Sequence, residues 1–161
     1  MTLQRLLAFA CASALAALSF TAGAQLTDKK ALTLDAAKKI AAAAEAEAQK
    51  NKWNVVIAVV DDGGHLIYLQ RMDTTQTGSV DVAIRKAQTA MSFKRPTKVF
   101  EDAVAGGRNA LIALPGALPL EGGLPITAGG QVIGAIGVSG VTAQQDGQIA
   151  KAGADSAGDL K

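Results

Sequence analysis

Cysteine and histidine are almost absent from this sequence: its 161 residues include one of each, Cys11 and His65. A structural zinc site takes four Cys or His ligands, and a metal hydrolase takes several convergent ones, so the composition excludes the first and disfavours the second. Aromatic residues make up only 4% of the chain, which leaves little material for a base-stacking platform. The formal charge is +2, and no basic run exceeds two residues. Nucleic acid is therefore not an expected partner.

Nucleotide-binding and nucleophile motifs are missing as well. The chain has no Gly-x-Gly-x-x-Gly segment and no Gly-x-x-x-x-Gly-Lys-Ser/Thr segment. A Ser-His-Asp triad would need His65 as its base and a serine on a Gly-x-Ser-x-Gly elbow. The nearest segment, Gly137-Val138-Ser139-Gly140, lacks that spacing. The sequence favours a binding protein over a catalyst.

The first 24 residues are typical of a secretory signal peptide. Arg5 precedes an apolar run from Leu6 to Phe20, and the small residues Ala22-Gly23-Ala24 follow it. A transmembrane anchor, the alternative, needs about 20 unbroken apolar residues. We expect cleavage after Ala24, a periplasmic or secreted location, no membrane span in the mature chain, and one domain over residues 25–161. Cys11 lies in the leader, so a disulfide in the mature chain is not expected.

Hydrophobic periodicity predicts alternating pairs of helices and strands. The predicted elements are a helix over Leu34–Lys50 capped by Thr33, strands over Asn54–Asp61 and His65–Arg71, helices over Gly78–Met91 and Thr97–Ala105, an irregular buried connection over Ala110–Leu120, strands over Pro125–Thr127 and Gln131–Ser139, and a helix from Thr142 to about Leu160. Gly-containing turns join the strands of each pair. This order predicts an α+β fold in which helices cover an antiparallel sheet of about five strands.

Two details of the predicted strands bear on function. Period-two alternation places His65, Ile67, Leu69 and Arg71 on one face. The glycines of the strand Gln131–Ser139 suit close approach by another backbone or by a flat ligand such as a macrocycle.

Three groups of polar residues are candidate sites. His65 opens the second strand, and Arg71-Met72-Asp73 ends it about 20 Å away, too far for one small site within a subunit. The densest basic region, which includes Arg85, Lys86 and Lys94, is able to hold carboxylates or propionates. Glu121-Gly122-Gly123 is able to offer backbone N–H groups to an anion. The structural alternatives are a polar strand end at His65, an Arg71–Asp73 ion pair, a solvated helix face at Arg85 and Lys86, and a bulged strand entry at Glu121.

Several short segments in series resemble the haem-degrading domain family, which includes proteins of the GlcG and HbpS type. These segments are Val59-Val60-Asp61-Asp62-Gly63-Gly64-His65-Leu66, Arg71-Met72-Asp73, Ala83-Ile84-Arg85-Lys86-Ala87, Gly122-Gly123-Leu124-Pro125-Ile126, Gly134-Ala135-Ile136-Gly137-Val138-Ser139-Gly140 and Gln145-Asp146. The resemblance implies a profilin-like or PAS-like α+β fold, a homo-oligomer and, for some members, haem or iron binding. The Glu-x-x-Glu motif linked to iron in an exported relative is missing here, because Ala48 follows Glu45 and Lys50 follows Glu47 at that spacing.

We derive three hypotheses for the function of the protein, two with a ligand and one without. The first is an exported haem-binding module in which His65 is the metal ligand and Arg85, Lys86 or Lys94 pairs with propionates. Met72, Met91 and Tyr68 are its other candidate axial ligands. The second is a metal-free binder or enzyme for a small carboxylate, with a site built from Arg71, Asp73, Arg85, Glu121, Gly122 and Gly123. The third is an oligomeric accessory protein without a ligand.

Overall fold

The structure of residues 25–159, a computed structural model, contains four helices and four strands in the predicted order. The elements are α1 (Leu34–Lys50), β1 (Val56–Asp61), β2 (Leu66–Arg71), α2 (Ser79–Phe93), α3 (Lys98–Ala105), β3 (Gly123–Ala128), β4 (Gln131–Ser139) and α4 (Ala143–Asp155), with 3-10 helices at Asn109–Ala113 and Ser156–Asp159. The predicted leader and Cys11 lie outside the described residues. Within those residues, no helix is long and apolar enough to cross a membrane.

The strands form one antiparallel sheet in the order β2-β1-β4-β3, which confirms the α+β class. Four strands, and not about five, make up the sheet of the described residues. Helices α1 and α4 pack on one face, against Ile57 and Val59 of β1, and α2 packs on the other, against Val56 and Ala58. Strand β1 is therefore buried on both faces, as its unbroken β-branched sequence predicts.

Helix α1 and helix α4 begin where the capping residues predict. The Thr33 hydroxyl accepts a hydrogen bond from the Ala36 N–H at 3.2 Å. Thr142 and Gln145 form a reciprocal capping box at the start of α4. Helix α4 ends at Asp155, a few residues before the predicted end, because the chain tightens into a 3-10 turn there.

The two glycines of β4 admit neighbouring backbone and not a flat ligand: Gly137 lies against α2, and Gly134 lies against Val60 O of β1. A Cβ at Gly137 would collide with Ala83 O and lie 2.5 Å from Ala87 N. Strand β4 is buried from Ile133 to Ser139, since β1 and β3 flank it and helices cover it. The predicted flat wall for a macrocycle on β4 is therefore wrong.

A β-bulge changes which face of β2 each side chain occupies. The register between β1 and β2 shifts by one residue between Val59 and Val60, near the turn that joins the two strands. As a result, Ile67 and Tyr68 both pack against the α1 side, whereas Leu69 packs against the α2 side. The common face predicted from strict alternation is wrong, because alternation does not reveal a bulge.

The segment Ala110–Leu120 is irregular, as predicted, but it is not buried. Ala117 is its one buried residue, and Ile112 is 63% exposed. Two prolines and a glycine prevent a strand or a long helix here. The described residues leave Ile112 and Leu120 exposed and cover the other leucines of the segment only in part. The prediction of a buried connection is wrong for the single chain.

Candidate functional site

His65 follows a tight turn that the carboxylate of Asp61 organises. Oδ1 of Asp61 accepts hydrogen bonds from the N–H groups of Gly63 and His65, each at 2.8 Å. Gly64 has a φ of +81°, a conformation that favours glycine. The hydrogen bond from the His65 N–H, helped by that from Gly63, holds the pKa of Asp61 below its ordinary value although partial burial opposes the shift.

The imidazole of His65 projects from this turn and is largely exposed. Its Nδ1 lies 3.5 Å from Oδ1 of Asp61, and the side chain is 84% exposed. Because Nδ1 faces the carboxylate, Nε2 faces away from it and is the nitrogen open to an external ligand. A carboxylate behind a ligating histidine fixes the orientation of the ring.

Within residues 25–159, the surface around the His65 side chain is open. Neither of two cavities that the described residues form includes His65. Residues 25–159 also contain no cluster of three His, Cys, Asp or Glu side chains able to hold a metal ion. His65 therefore offers a single donor atom on an open surface.

Arg85 is linked to the His65 turn through Gln88, a neighbour on α2, and the sequence alone does not show this link. Gln88 of α2 donates a hydrogen bond to Gly64 O at 3.2 Å, and this bond joins the helix to the turn. Arg85 is exposed one helical turn before Gln88, so the two side chains share a face of α2. The guanidinium is thus on the side of α2 from which it is able to approach an anion near His65.

Two other predicted cofactor residues are buried. Lys86, predicted to lie in a basic surface region, has a side chain only 3% exposed, and it contacts Asp146. Met91 is 5% exposed and packs beside Val60 and Ala135. Within a single chain, neither side chain is presented to an external ligand.

Arg71, Met72 and Asp73 line a polar cavity at the far end of β2. This cavity, the Arg71 cavity, has a volume of about 470 Å³ and is also lined by Glu45, Gln49, Asn54, Gln70 and Thr74. Asn54 donates to the Thr74 hydroxyl at 2.7 Å. Arg71 and Asp73 are exposed, and neither forms a salt bridge within residues 25–159, so the ion pair weighed from the sequence is not formed.

Glu121, Gly122 and Gly123 line a different cavity. This cavity, the Gly122 cavity, has a volume of about 240 Å³ and is also lined by Pro96, Lys98, Leu124, Gly147 and Lys151. The carboxylate of Glu121 lies 3.8 Å from the Lys98 ammonium. The N–H of Gly123 is already bonded to the Thr97 hydroxyl at 2.9 Å and is not open to an anion. The small-carboxylate site predicted from the sequence is thus divided between two cavities, and Arg85 lines neither.

The floor of the Gly122 cavity covers a buried ion pair. Lys86 Nζ donates to Asp146 Oδ2 at 2.7 Å and to Val138 O at 3.0 Å. A Cβ at Gly122 would lie 2.9 Å from Lys86 Nζ, and the glycine has a φ of +123°. Burial raises the pKa of Asp146, and the neighbouring ammonium of Lys86 offsets part of that effect.

Sequence reasoning missed Asp61 and Asp146 as partners of His65 and Lys86. The signal for Asp61 is present, because an aspartate four residues before a histidine and two before a glycine suits a turn in which the carboxylate accepts backbone N–H groups. No local signal joins Lys86 to Asp146, which lie 60 positions apart.

The family of the chain follows from its relatives. A family model described as haem degrading protein HbpS-like matches residues 32–155. The chain therefore belongs to the HbpS-like family, which confirms the resemblance seen in its sequence. It is similar to protein GlcG of Escherichia coli K12, with 48% identity over 111 residues that cover 69% of this chain and 83% of GlcG.

Solved structures agree with this assignment. A double mutant of Streptomyces reticuli HbpS matches with a TM-score of 0.75 and 41% identity, over 83% of this chain and 92% of that one. A PduOC:haem complex matches with a TM-score of 0.72 and 28% identity, over 82% and 98% of the two chains. Haem-related binding is thus supported at the level of the family.

Proposed function

We propose that this protein is an exported haem-binding protein in which Nε2 of His65 ligates the iron. The observation that carries the proposal is the presentation of the imidazole: Nδ1 is turned toward Asp61, and the ring is 84% exposed. When bound, haem supplies an iron ion to which a neutral imidazole nitrogen coordinates. The chain supplies the exposed nitrogen, and the carboxylate of Asp61 lies 3.5 Å from the other ring nitrogen.

Arg85 is the propionate partner favoured by the fold. It is exposed on the face of α2 that contacts the His65 turn through Gln88, whereas Lys86 is held in the interior by Asp146. A guanidinium pairs well with a carboxylate because two N–H groups match two oxygens. We assign Arg85, and not Lys86 or Met91, to the haem site.

Titration of the full chain with haemin tests the proposal. The wild-type protein should shift the Soret band at one equivalent of haemin, and His65→Ala should abolish the shift. A matched control carries His65→Ala together with Gln144→His, which moves the only imidazole to an exposed position on α4. If that control binds haemin as the wild type does, any exposed histidine suffices and the proposed site is rejected.

Export is the second part of the proposal, and it stands on the leader predicted at residues 1–24. The mature chain from a periplasmic fraction should begin at Gln25, as measured by intact mass. A mass that retains residues 1–24 would contradict export by cleavage.

A metal-free small-carboxylate site is a second candidate function. The observation in its favour is that Arg71, which forms no salt bridge within residues 25–159, lines one polar cavity together with Asn54 and Thr74. Acetate added to the protein should perturb the amide NMR signals of residues 71–74 and leave those of Arg71→Ala unchanged. Equal shifts in both proteins would reject this site.

A further inference from the structure

A largely buried carboxylate lines the Gly122 cavity. The side chain of Glu121 is only 16% exposed, and the one salt bridge that it forms within residues 25–159, with Lys98, spans 3.8 Å. Helix α4 makes room for this carboxylate, because a Cβ at Gly147 would lie 2.5 Å from Oε1 of Glu121. A carboxylate withdrawn from water in this way is stabilised by a cation that bonds to it directly.

The two lysines that line the cavity have closer partners than Glu121. Nζ of Lys98 donates a hydrogen bond to Oδ1 of Asp102 at 2.7 Å. Nζ of Lys151 donates to Oδ2 of Asp155 at 2.5 Å. Each pair joins residues one helical turn apart. Neither ammonium of these pairs is at hydrogen-bond distance from Glu121 within the described part of the chain.

Carboxylates outnumber ammonium groups around Lys98. The hydrogen bond from Lys98 to Asp102 raises the pKa of the ammonium, and the negative charges of Glu121 and Glu101 add to this effect. Glu101 is held beside the cavity, since its carboxylate accepts a hydrogen bond from the N–H of Glu121. Three carboxylates therefore share one ammonium. The buried ion pair beneath the cavity contributes one charge of each sign, so the site as a whole is acidic.

The walls and the size of the cavity favour a small organic cation over a metal ion. Pro96 and Leu124 line the cavity, together with the backbone of Gly122 and Gly123. Residues 25–159 contain no cluster of three His, Cys, Asp or Glu side chains able to hold a metal ion. The volume of about 240 Å³ is below the range of about 300–1,000 Å³ that is typical of sites for drug-sized ligands. A cation with a short carbon chain matches these walls and this volume.

The head group of the cation follows from what the cavity offers. Quaternary ammonium ions are recognised by aromatic rings, and none of the lining residues of the Gly122 cavity is aromatic. A primary ammonium instead carries three N–H donors, which suit a carboxylate that lacks a close donor. Charge-assisted hydrogen bonds of this kind are stronger than neutral ones.

We propose that the Gly122 cavity binds a small primary ammonium ion, with the head group on the carboxylate of Glu121 and the carbon chain along Pro96 and Leu124. The aliphatic stems of the two lysines extend the apolar wall. His65 does not line this cavity, so the proposal goes beyond haem binding and does not rest on it.

Three four-carbon compounds test the charge that the cavity selects. n-Butylammonium chloride should perturb the amide NMR signals of residues 121–124 of the full chain to saturation. Sodium butyrate and 1-butanol, at the same concentration and ionic strength, should not. Equal binding of butyrate would contradict the preference for a cation, and equal binding of butanol would show that apolar contact alone suffices. Either result, or no saturable shift with butylammonium, overturns the proposal.

Two substitutions should move the affinity for butylammonium in opposite directions. Glu121→Gln keeps the shape of the side chain and should weaken binding about tenfold or more, because a hydrogen bond to a charged group is lost. Lys98→Met removes the competing ammonium and should strengthen binding. Asp35→Asn is the control: it removes one negative charge at an exposed position on α1, outside the cavity, and should leave the affinity unchanged. Unchanged affinity in Glu121→Gln, or weaker binding in Lys98→Met, overturns the proposal.

Gly147→Ala tests the position of the carboxylate without removing it. The added methyl group would meet the flexible end of the Glu121 side chain, which is able to turn away, and alanine is a better helix former than glycine. We expect a folded protein, by circular dichroism, with weaker butylammonium binding. Gly158→Ala is the matched control, since nothing lies within 4 Å of its added atom. A folded Gly147→Ala with the affinity of the wild type overturns the proposed site.

Discussion

The ammonium of Lys86 lies 2.7 Å from Oδ2 of Asp146, and both side chains are only 3% exposed. The pair joins α2 to α4 beside the end of β4, where Val138 O accepts a second hydrogen bond from the same ammonium. The other carboxylate oxygen, Oδ1, accepts from the Val141 N–H at 3.2 Å. With these bonds, two charges are held in the interior beneath the Gly122 cavity.

Removal of one member of the Lys86–Asp146 pair should destabilise the fold, because the other member stays buried without its counter-charge. Lys86→Met leaves the carboxylate of Asp146 buried without its counter-charge, and we expect a loss of about 3–5 kcal/mol in the free energy of unfolding. The double variant Lys86→Met/Asp146→Leu should lose less than the sum of the two single variants. Urea denaturation of all four proteins measures the coupling.

The neighbouring Arg85 supplies the control for this cycle. It is exposed on the same helix, and Arg85→Met should change the free energy of unfolding by no more than about 0.5 kcal/mol. Additive losses in the double variant would mean that the two side chains do not stabilise each other.

Gly122 should not tolerate a side chain. A Cβ there would lie 2.7 Å from Val138 O and 2.9 Å from Lys86 Nζ, on a backbone with a φ of +123°. We expect Gly122→Ala to destabilise the fold by about 1–3 kcal/mol or more, because steric overlap and backbone strain act together. Gly78→Ala is the control, since its φ is −60° and nothing lies within 4 Å of the added atom. Equal melting temperatures for the two variants would be inconsistent with this packing.

Thr97 should stabilise the fold through the hydrogen bond of its hydroxyl group and not through the volume of its side chain. Its side chain is fully buried, and Oγ1 accepts from the Gly123 N–H at 2.9 Å. Thr97→Val keeps the shape but leaves that N–H unpaired, so we expect a loss of about 1–3 kcal/mol in the free energy of unfolding. Thr97→Ser, which keeps the acceptor, should lose less. A larger loss in the serine variant would show that the methyl group, and not the hydrogen bond, is what matters.

The carboxylate of Asp61 should make part of the free energy of unfolding depend on pH. Its pKa in the folded chain is held below the usual 3.8, chiefly by the hydrogen bond from the His65 N–H. A lowered pKa contributes stability that is present above the unfolded value and is lost as the pH falls through the folded one. Urea midpoints measured from about pH 6 downward should therefore fall less steeply for Asp61→Asn than for the wild type. Parallel profiles would show that the turn does not favour the charged carboxylate.

Local patterns were sufficient to predict the elements of the fold. Thr33 and Thr142 mark helix starts because a hydroxyl satisfies free N–H groups, and the run Val55–Val60 predicts a buried strand because β-branched side chains suit it. The bulge at Ile67 was not predicted, since it depends on how β1 and β2 pair. The exposure of Ile112 was not predicted either, because an apolar sequence does not show whether its own chain covers it.

The site was predictable only in part. The turn before His65 follows from its glycines, and the family resemblance identified the histidine itself. The partners of His65 and Lys86 were not identified, because Asp61 acts through a turn geometry and Asp146 lies 60 positions from Lys86. The division of the predicted carboxylate site also depends on the fold, which separates Arg71 from Gly122.

The central claim, ligation of haem iron by His65, is tested most directly through the imidazole itself. The chain contains a single histidine, so a protein labelled with ¹⁵N-histidine gives one set of imidazole nitrogen signals. Addition of one equivalent of ferric haemin should shift or broaden Nε2 beyond detection, because the paramagnetic iron is bound to it. Imidazole signals that remain sharp and unmoved at saturating haemin would contradict the account.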